Sequence, residues 1–267
     1  MKERGAILDV AIESAIKAGD FLQQHLGGGK SVSTKSSTVD LVTEYDRKSQ
    51  EIIIDIIHSY YPRHSVLAEE EDQISSAEKK WVVDPLDGTT NYIHDYPLFA
   101  TSVAFEEQGV VQVGAVYIPL LNQLFTGAKG VGSFLNGAPI EVSGRESLSD
   151  SLVSTGFPYE QEEVKRALQY FNALVRNTRG IRRDGAAAID LCYVAAGKYD
   201  AFWEIGLSPW DVAAGSLIVE EAGGMITDLM GSNFSIYDSE AIVSSNGEVH
   251  QQLLRFLEGG VDDDADS

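Results

Sequence analysis

The chain has almost no cysteine. Among 267 residues Cys192 stands alone, so an internal disulfide is excluded. A reducing cytoplasm is the compartment this expects. Basic residues are scarce too: 20 Lys and Arg face 41 Asp and Glu, a net charge of −21. Such a surplus of negative charge argues against direct binding to nucleic acid or to an anionic membrane. No apolar run approaches the length of a bilayer-spanning helix. The opening MKERGAILDVAIESA scatters acids among its apolar residues and does not read as a signal peptide. There is no long internal repeat and no low-complexity linker. The histidines His25, His58, His64, His94 and His250 show no ligand spacing. Gly-x-Ser-x-Gly is missing and no Cys/His pair has a supporting context, so covalent catalysis has no footing. The run Gly27-Gly28-Gly29-Lys30-Ser31 lacks phosphate-loop spacing and follows a helix, so it reads as a helix stop and turn.

What is present describes an ordinary globular chain, with 43% hydrophobic and 23% charged residues. The length suits one domain over 1–258, built of two packed lobes at about 1–145 and 146–258, before a solvated, disordered acidic tail at 259–267. Ile7, Ala11, Ala15, Ala18 and Leu22 recur at helical spacing, which predicts a helix over 4–26. Residues 30–38 read as a mobile loop or weak hairpin. A second helix is predicted from Thr43 to Tyr60, with Ile52, Ile53, Ile56 and Ile57 inward and Pro62 beyond its end. Strands are predicted at Ser65–Ala68 and Trp81–Asp84, then a meander at 99–105, 110–118, 123–127 and 132–135, with Asn136-Gly137 as a hairpin turn. From 151 strands and helices alternate: strands at 152–155, near 181, at 200–203, near 225–227 and at 241–244, and helices at 160–177, 186–196, 211–222 and to 257. Such alternation predicts an α/β lobe.

Four segments concentrate acids where strands end or helices begin. An apolar strand, Trp81-Val82-Val83, delivers Asp84, and Pro85 and Leu86 separate it from Asp87. Leu67-Ala68 runs into Glu69-Glu70-Glu71-Asp72. Pro209-Trp210-Asp211 places an acid at an expected helix N-cap. Asp40 to Asp46 is the fourth. Each acid alone could be a cap or a solvated loop; together they lie where α/β folds gather their sites. Carboxylates so gathered repel one another without a cation, and oxygen ligands suit Mg²⁺ or Mn²⁺. Gly88-Thr89-Thr90 adds backbone N–H groups at a helix start, a setting for phosphate oxygens. Acids for a metal beside amides for an anion describe metal-assisted phosphoryl transfer.

WVVDPLDGTTNY at 81–92 and WDVAAGSLIVEEAGG at 210–224 are the blocks by which the chain resembles the inositol monophosphatase family, within the Li⁺-sensitive, Mg²⁺-dependent phosphatases. The resemblance covers roughly residues 5–258. EIGLSPWD and RRDGAAAIDLCYVAAG look most like its bacterial branch. It implies an α+β, mixed α/β fold, a five-layered αβαβα sandwich with a larger antiparallel sheet and a second, mixed one. It also implies Mg²⁺ or Mn²⁺, two or three per site, held by Glu69, Asp84, the carbonyl of Leu86, Asp87 and Asp211. Ala68 stands where the family usually has Gly. Asp46 and Thr89 match the pair that orients an attacking water, and Glu69 is counted with them as catalytic. Gly88 and Thr89 match the phosphate cradle. Asp184, Ala187, Glu204 and Asp211 match substrate contacts, and Lys35 a basic residue on a mobile loop.

The implied reaction is in-line attack of a metal-activated water on inositol 1-phosphate or a related polyol or sugar monophosphate, by a homodimer. Histidinol phosphate, fructose 1,6-bisphosphate and, last, 3′(2′),5′-bisphosphate nucleotides are the alternatives on the same metal site. A regulatory module that binds partner proteins is the alternative of another class.

Overall fold

Apolar periodicity sorts the chain into layers. The computed structural model describes residues 2–28, 32–34, 41–69 and 77–259. Lys35, Asp40, Glu70, Glu71, Asp72 and the acidic tail from 260 lie outside them. Helix α1 (Lys2–His25) ends before Gly27, whose φ of +80° turns the chain away. Strands β1 (Val32–Thr34) and β2 (Leu41–Thr43) pair antiparallel, Val32 opposite Thr43. Helix α2 (Glu44–Tyr60) follows, with Thr43 as its N-cap.

The first sheet takes its strands in chain order: β3 (Ser65–Ala68), β4 (Lys79–Asp87), β5 (Ala100–Glu107), β6 (Val110–Ile118), β7 (Gln123–Ala128), β8 (Gly132–Leu135) and β9 (Ala138–Ile140). A short helix, α3 (Thr89–Ile93), follows β4. The second sheet is built from β10 (Leu152–Thr155), β11 (Gly180–Arg182), β12 (Ala201–Ile205), β13 (Met225–Thr227) and β14 (Ala241–Ser245), in the order β11-β10-β12-β14-β13. The intervening helices are α4 (Gln161–Val175), α5 (Ala187–Ala195), α6 (Pro209–Glu221) and α7 (His250–Gly259).

Side chains alternate across each strand, so one strand feeds two cores. Trp81, Val83, Val103 and Phe105 pack against Ile7, Val10, Ala15, Ile53 and Ile57 of α1 and α2. Val82, Ala104 and Val116 point the other way, onto α5 and α6. Phe202 and Ile242 of the second sheet close that layer from beyond. Ala201, Trp203 and Val243 face outward again, onto Ala167 and Leu174 of α4 and Leu253 and Leu257 of α7. The sequence of layers is α1/α2, seven strands, α5/α6, five strands, α4/α7. That is the αβαβα sandwich implied by the resemblance. The helices sandwiched between sheets are buried over most of their length and rich in small apolar residues, with Asp190 of α5 a buried exception.

Four local expectations need correction. The larger sheet is not purely antiparallel, because β3 runs parallel to β4. Strand β4 does not stop at Asp84 but continues through Pro85 to Asp87, by way of an irregularity described below. Helix α6 begins at Pro209, two residues early, since proline is preorganised for a first turn. Strand β9 was not anticipated; its Pro139 is tolerated because β9 is an edge strand. Among the described residues no helix is long and apolar enough to cross a membrane.

Phe105 is 1% exposed and seats the outer helices on the first sheet. Phe105→Ala is expected to lower stability by about 3–5 kcal/mol, as other large core truncations do. The shift of the urea midpoint in an equilibrium unfolding curve measures it.

Candidate active site

Residues three apart in a regular strand point to opposite faces of a sheet. Asp84 and Asp87 escape that rule. Asp84 pairs with Ser102, but Asp87 pairs with Ala100, so three steps on β4 match two on β5. The extra residue is a β-bulge, which re-aims side chains. Pro85 sits within it and has no N–H to offer the ladder. The Ser49 hydroxyl of α2 donates to the Pro85 carbonyl at 2.6 Å, and the Leu86 N–H donates to Asp84 Oδ1 at 2.9 Å. Asp84 and Asp87, 2% and 7% exposed, thereby line the same cleft of about 300 Å³.

The parallel register of β3 and β4 sets Ala68 opposite Val83. Both strands run out at the same end of the sheet. Glu69, the first residue past β3, therefore arrives beside Asp84 and lines the cleft. An antiparallel pairing would carry it to the far edge.

The N-terminus of α2 supplies the next group. Asp46 is the third helical residue, and its Oδ2 accepts the Thr43 N–H at 2.8 Å and the Thr43 hydroxyl, closing a capping box. Oδ1 is left to accept the Thr89 hydroxyl at 3.0 Å. The carbonyl of Leu86 lies 3.1 Å from the same hydroxyl. With its proton committed to acceptors behind it, Thr89 keeps oxygen lone pairs for the cleft. Gly88 caps α3 at φ +89°, and a Cβ there would meet the Leu98 carbonyl at 3.0 Å. Only glycine fits this corner.

The middle layer supplies the opposite wall. Ala188, in the first turn of α5, donates its N–H to Asp87 Oδ2 at 2.8 Å. At α6 the N-cap is Ser208, not Asp211 as the sequence suggested. Asp211 is the third residue of the helix and accepts the Ser208 N–H at 2.7 Å. Pro209 takes the first helical position, and this moves the cap back. Glu204 of β12 lines the cleft together with Arg183 and Ala187. Gly156 makes room for it: a Cβ at Gly156 would fall 2.0 Å from Glu204 Oε1.

The acids disturb one another. Burial pushes the Asp84 carboxyl well above its usual range, and Glu69, Asp87 and Asp211 push the same way. Burial and then Asp211 raise Asp87 to about 8, against the pull of the Ala188 N–H. Burial and Asp211 raise Glu204 to about 8, and Arg183 opposes them. Like charges held this close with little water call for a cation. The donor set is carboxylate and carbonyl oxygen, which suits a hard divalent ion. Among the described residues no three acids, histidines or cysteines yet close on one point as a finished cage. The acids share a cleft and its electrostatics, and the groups present fit a divalent cation.

Of the residues singled out in the sequence, Glu69, Asp84, Leu86, Asp87, Gly88, Thr89, Ala187, Glu204 and Asp211 line the cleft. Asp46 stands behind Thr89. Asp184 is not among the lining residues: its carboxylate accepts the Tyr199 hydroxyl and its carbonyl accepts Asn91 Nδ2 at 2.8 Å. Asn91 also donates to the Leu98 carbonyl at 2.6 Å, so its amide ties α3 both to the segment before β5 and to the segment before α5. Sequence reasoning quoted Asn91 and Arg183 within motifs but gave neither a role. Nothing in the sequence marks Gly156, whose importance depends on β12 lying beside β10.

A family model for the inositol monophosphatase family matches residues 4–260. The Nus factor SuhB of Pseudomonas aeruginosa is 40% identical over 260 residues, 94% of this chain and 96% of that one. The inositol-1-monophosphatase of Synechocystis sp. is 40% identical over 253 residues, 94% of this chain and 88% of that one. The solved structure of an inositol monophosphatase from Anabaena (Nostoc) sp. superposes with a TM-score of 0.86 at 41% identity, covering 95% of this chain and 96% of that chain.

A carboxyl whose folded pKa is raised stabilises the fold fully below its unfolded pKa and loses that contribution as pH climbs to the folded value. Asp87 and Glu204 rise from 3.8 and 4.5 to about 8. Metal-free protein is therefore expected to lose stability from about pH 4 to pH 8. Asp87→Asn and Glu204→Gln should flatten that slope, and a divalent cation should raise the urea midpoint more at pH 8 than at pH 5. Equal slopes in wild type and both variants would refute this account of the cleft.

Proposed function

The chain belongs to the inositol monophosphatase family, and from that premise we infer that it hydrolyses inositol 1-phosphate and related polyol or sugar monophosphates with Mg²⁺. One observation carries the inference. The bulge of β4 brings Asp84 and Asp87 into one cleft with Glu69, Asp211 and Thr89, whose hydroxyl donates to Asp46.

Glu69, Asp84, the Leu86 carbonyl, Asp87 and Asp211 are the groups proposed to hold the metal, with Mn²⁺ as a substitute. When bound, such an ion neutralises charge on phosphoryl and leaving oxygens and acidifies water. The protein's own part is positioning and proton handling. The first N–H groups of a helix have no intrahelical acceptor, so those at Gly88 and Thr89 are offered to phosphoryl oxygens. The Thr89 hydroxyl, donating to Asp46, presents its lone pairs to an attacking water and accepts its proton as the Asp46 carboxylate takes up the hydroxyl's own. The capping box holds Asp46 still during that exchange.

In the same cleft Glu204 accepts hydrogen bonds from ring hydroxyls, and Arg183 limits the rise of its pKa. A site that pairs buried hydroxyls rejects analogues lacking them. Ala187 supplies a small wall residue over which a ring can lie. The proposed role of Asp184 is to position that wall through Tyr199 and Asn91. Lys35 remains a proposed basic contact, outside the described residues. Li⁺ sensitivity and a homodimer are proposed on the resemblance, and a cytoplasmic location on the lone cysteine.

A second reading is favoured by the 40% identity to a protein named Nus factor SuhB. It gives this chain a second role in contacting partners, compatible with an intact cleft. Asp87→Asn separates the two: a cellular phenotype that survives the variant is not phosphatase chemistry.

Phosphate release from inositol 1-phosphate should require a divalent cation and fall by at least about 10²-fold in Thr89→Ala, the span of a lost acid–base partner. Glu204→Gln should raise KM for inositol 1-phosphate more than it lowers kcat. Preference for histidinol phosphate or fructose 1,6-bisphosphate would keep the metal site and discard the polyol assignment. No release from any of the three esters by folded, metal-loaded protein would end the enzyme reading.

A further inference from the structure

A second cleft, of about 280 Å³, collects positive charge in a chain that has little of it. Arg145, Arg179, Arg182 and Lys198 line it with Asp150 and Asp200. Four of the chain's 20 basic residues thus face two acids, a local surplus of +2 on a protein of net charge −21. The cleft lies at the other end of the elements that build the active site. Strand β10 runs from Leu152 here to Thr155, just before Gly156 in the first cleft. Helix α5 starts at the groups that hold Asp87 and leads to Lys198, roughly 14 Å along its nine residues.

The two acids do not consume this charge. Asp200, 3% exposed, is turned inward and accepts the Leu152 N–H at 2.8 Å and the Ser143 hydroxyl. Arg145 approaches it through Nε alone, at 3.3 Å. Asp150 takes one nitrogen of Arg179, at 2.7 Å. A guanidinium has five N–H donors, so both arginines keep unused edges. Arg182 and Lys198 have no carboxylate partner among the described residues. Arg182 Nη1 donates to the Ile181 carbonyl at 3.0 Å. Lys198 Nζ lies 4.0 Å from the centre of the Tyr193 ring and 3.4 Å from Gln123 Oε1.

We propose that this cleft binds a small dianion, a phosphate or phosphomonoester group, held between Arg182 and Lys198 and flanked by the free edges of Arg145 and Arg179. Arginine forks match phosphoryl oxygens in pairs. The size of the ligand follows from the charge around it. Screening confines each patch to about 8 Å, so a compact dianion feels the local +2. An extended polyanion would run out over the acidic remainder and be repelled. The site is independent of the phosphatase reading, since none of its side chains lines the first cleft.

The test is a titration of the Mg²⁺-loaded, full-length protein, followed by amide ¹H–¹⁵N spectra at constant ionic strength. Gly180 and Gly197 report the second cleft and Gly88 reports the first. Inorganic phosphate should shift Gly180 and Gly197 saturably, and Arg182→Gln/Lys198→Gln should weaken that response at least tenfold while the Gly88 response and turnover stay unchanged. Methylphosphonate, which cannot be hydrolysed as an ester, separates the sources. A response to it as well as to phosphate assigns a monoester group, and a response to phosphate alone assigns the free ion. Arg182→Lys retains the charge and should retain partial binding; Arg182→Gln alone serves if the double variant fails to fold. Shifts confined to Gly88, or an equal response to chloride, overturn the proposal.

Discussion

The structure turns on a conflict between strand geometry and charge. A pleated strand separates residues three apart, and four carboxylates repel if they are brought together. The bulge at Pro85 resolves the geometry, since one extra residue on β4 puts Asp84 and Asp87 on the same cleft. It leaves the repulsion. Neighbouring elements brace this corner. Ser49 fixes the bulge, Ala188 holds Asp87, and Ser208 holds Asp211. Such fixed carboxylates resist collapsing away from one another. Strain of this sort persists only where the surroundings over-determine it.

The layer order follows from the same requirement. Helix starts from two different layers must meet the end of β4. α2 comes from the outside of the first sheet and brings Asp46. α5 and α6 come from the middle layer and bring the Ala188 N–H and Asp211. A middle layer needs helices that can be buried on all sides, and the runs Ala187–Ala195 and Val212–Val219 are buried throughout and mostly apolar, Asp190 and Ser216 excepted. The small residues of α5 and α6 let the two sheets close to a distance at which Glu204, from the second sheet, reaches a cleft begun by the first.

Much of this was legible in the sequence, for identifiable reasons. Long elements with clean periodicity, such as α1, α2 and the meander β5–β8, were readable because burial of one face dictates their pattern. The site acids were readable because Asp84, Asp87 and Asp211 stand at changes of element. What escaped depends on contacts between distant segments. The bulge cannot be seen in Asp-Pro-Leu-Asp alone, because it is a mismatch with β5. The parallel pairing that lands Glu69 beside Asp84 is a fact about two strands. The Ser208 cap was hidden by the more familiar attraction of an acid to a helix start, which Asp211 satisfies from inside the box. Gly156 mattered only once β12 lay next to β10. Asp184 was named through the resemblance alone, and the hydrogen bond its carboxylate accepts from Tyr199, fifteen residues on, is a contact that the local sequence does not announce.

The acidity of the protein then acquires a physical consequence. A chain of net charge −21 repels anions at long range, and salt screens that repulsion within about a Debye length. Binding a phosphoryl group therefore depends on positive potential that is local and fixed. In the first cleft the chain supplies helix-start N–H groups and Arg183, which are too little against Glu69, Asp84, Asp87, Asp211 and Glu204. That deficit fits the divalent cation proposed for this cleft. In the second cleft the balance is reversed, because Asp200 is turned inward and Asp150 meets one nitrogen of Arg179. Two concave sites on one acidic molecule thus differ in kind. One gathers acids of the kind that suit a metal, and the other gathers basic side chains.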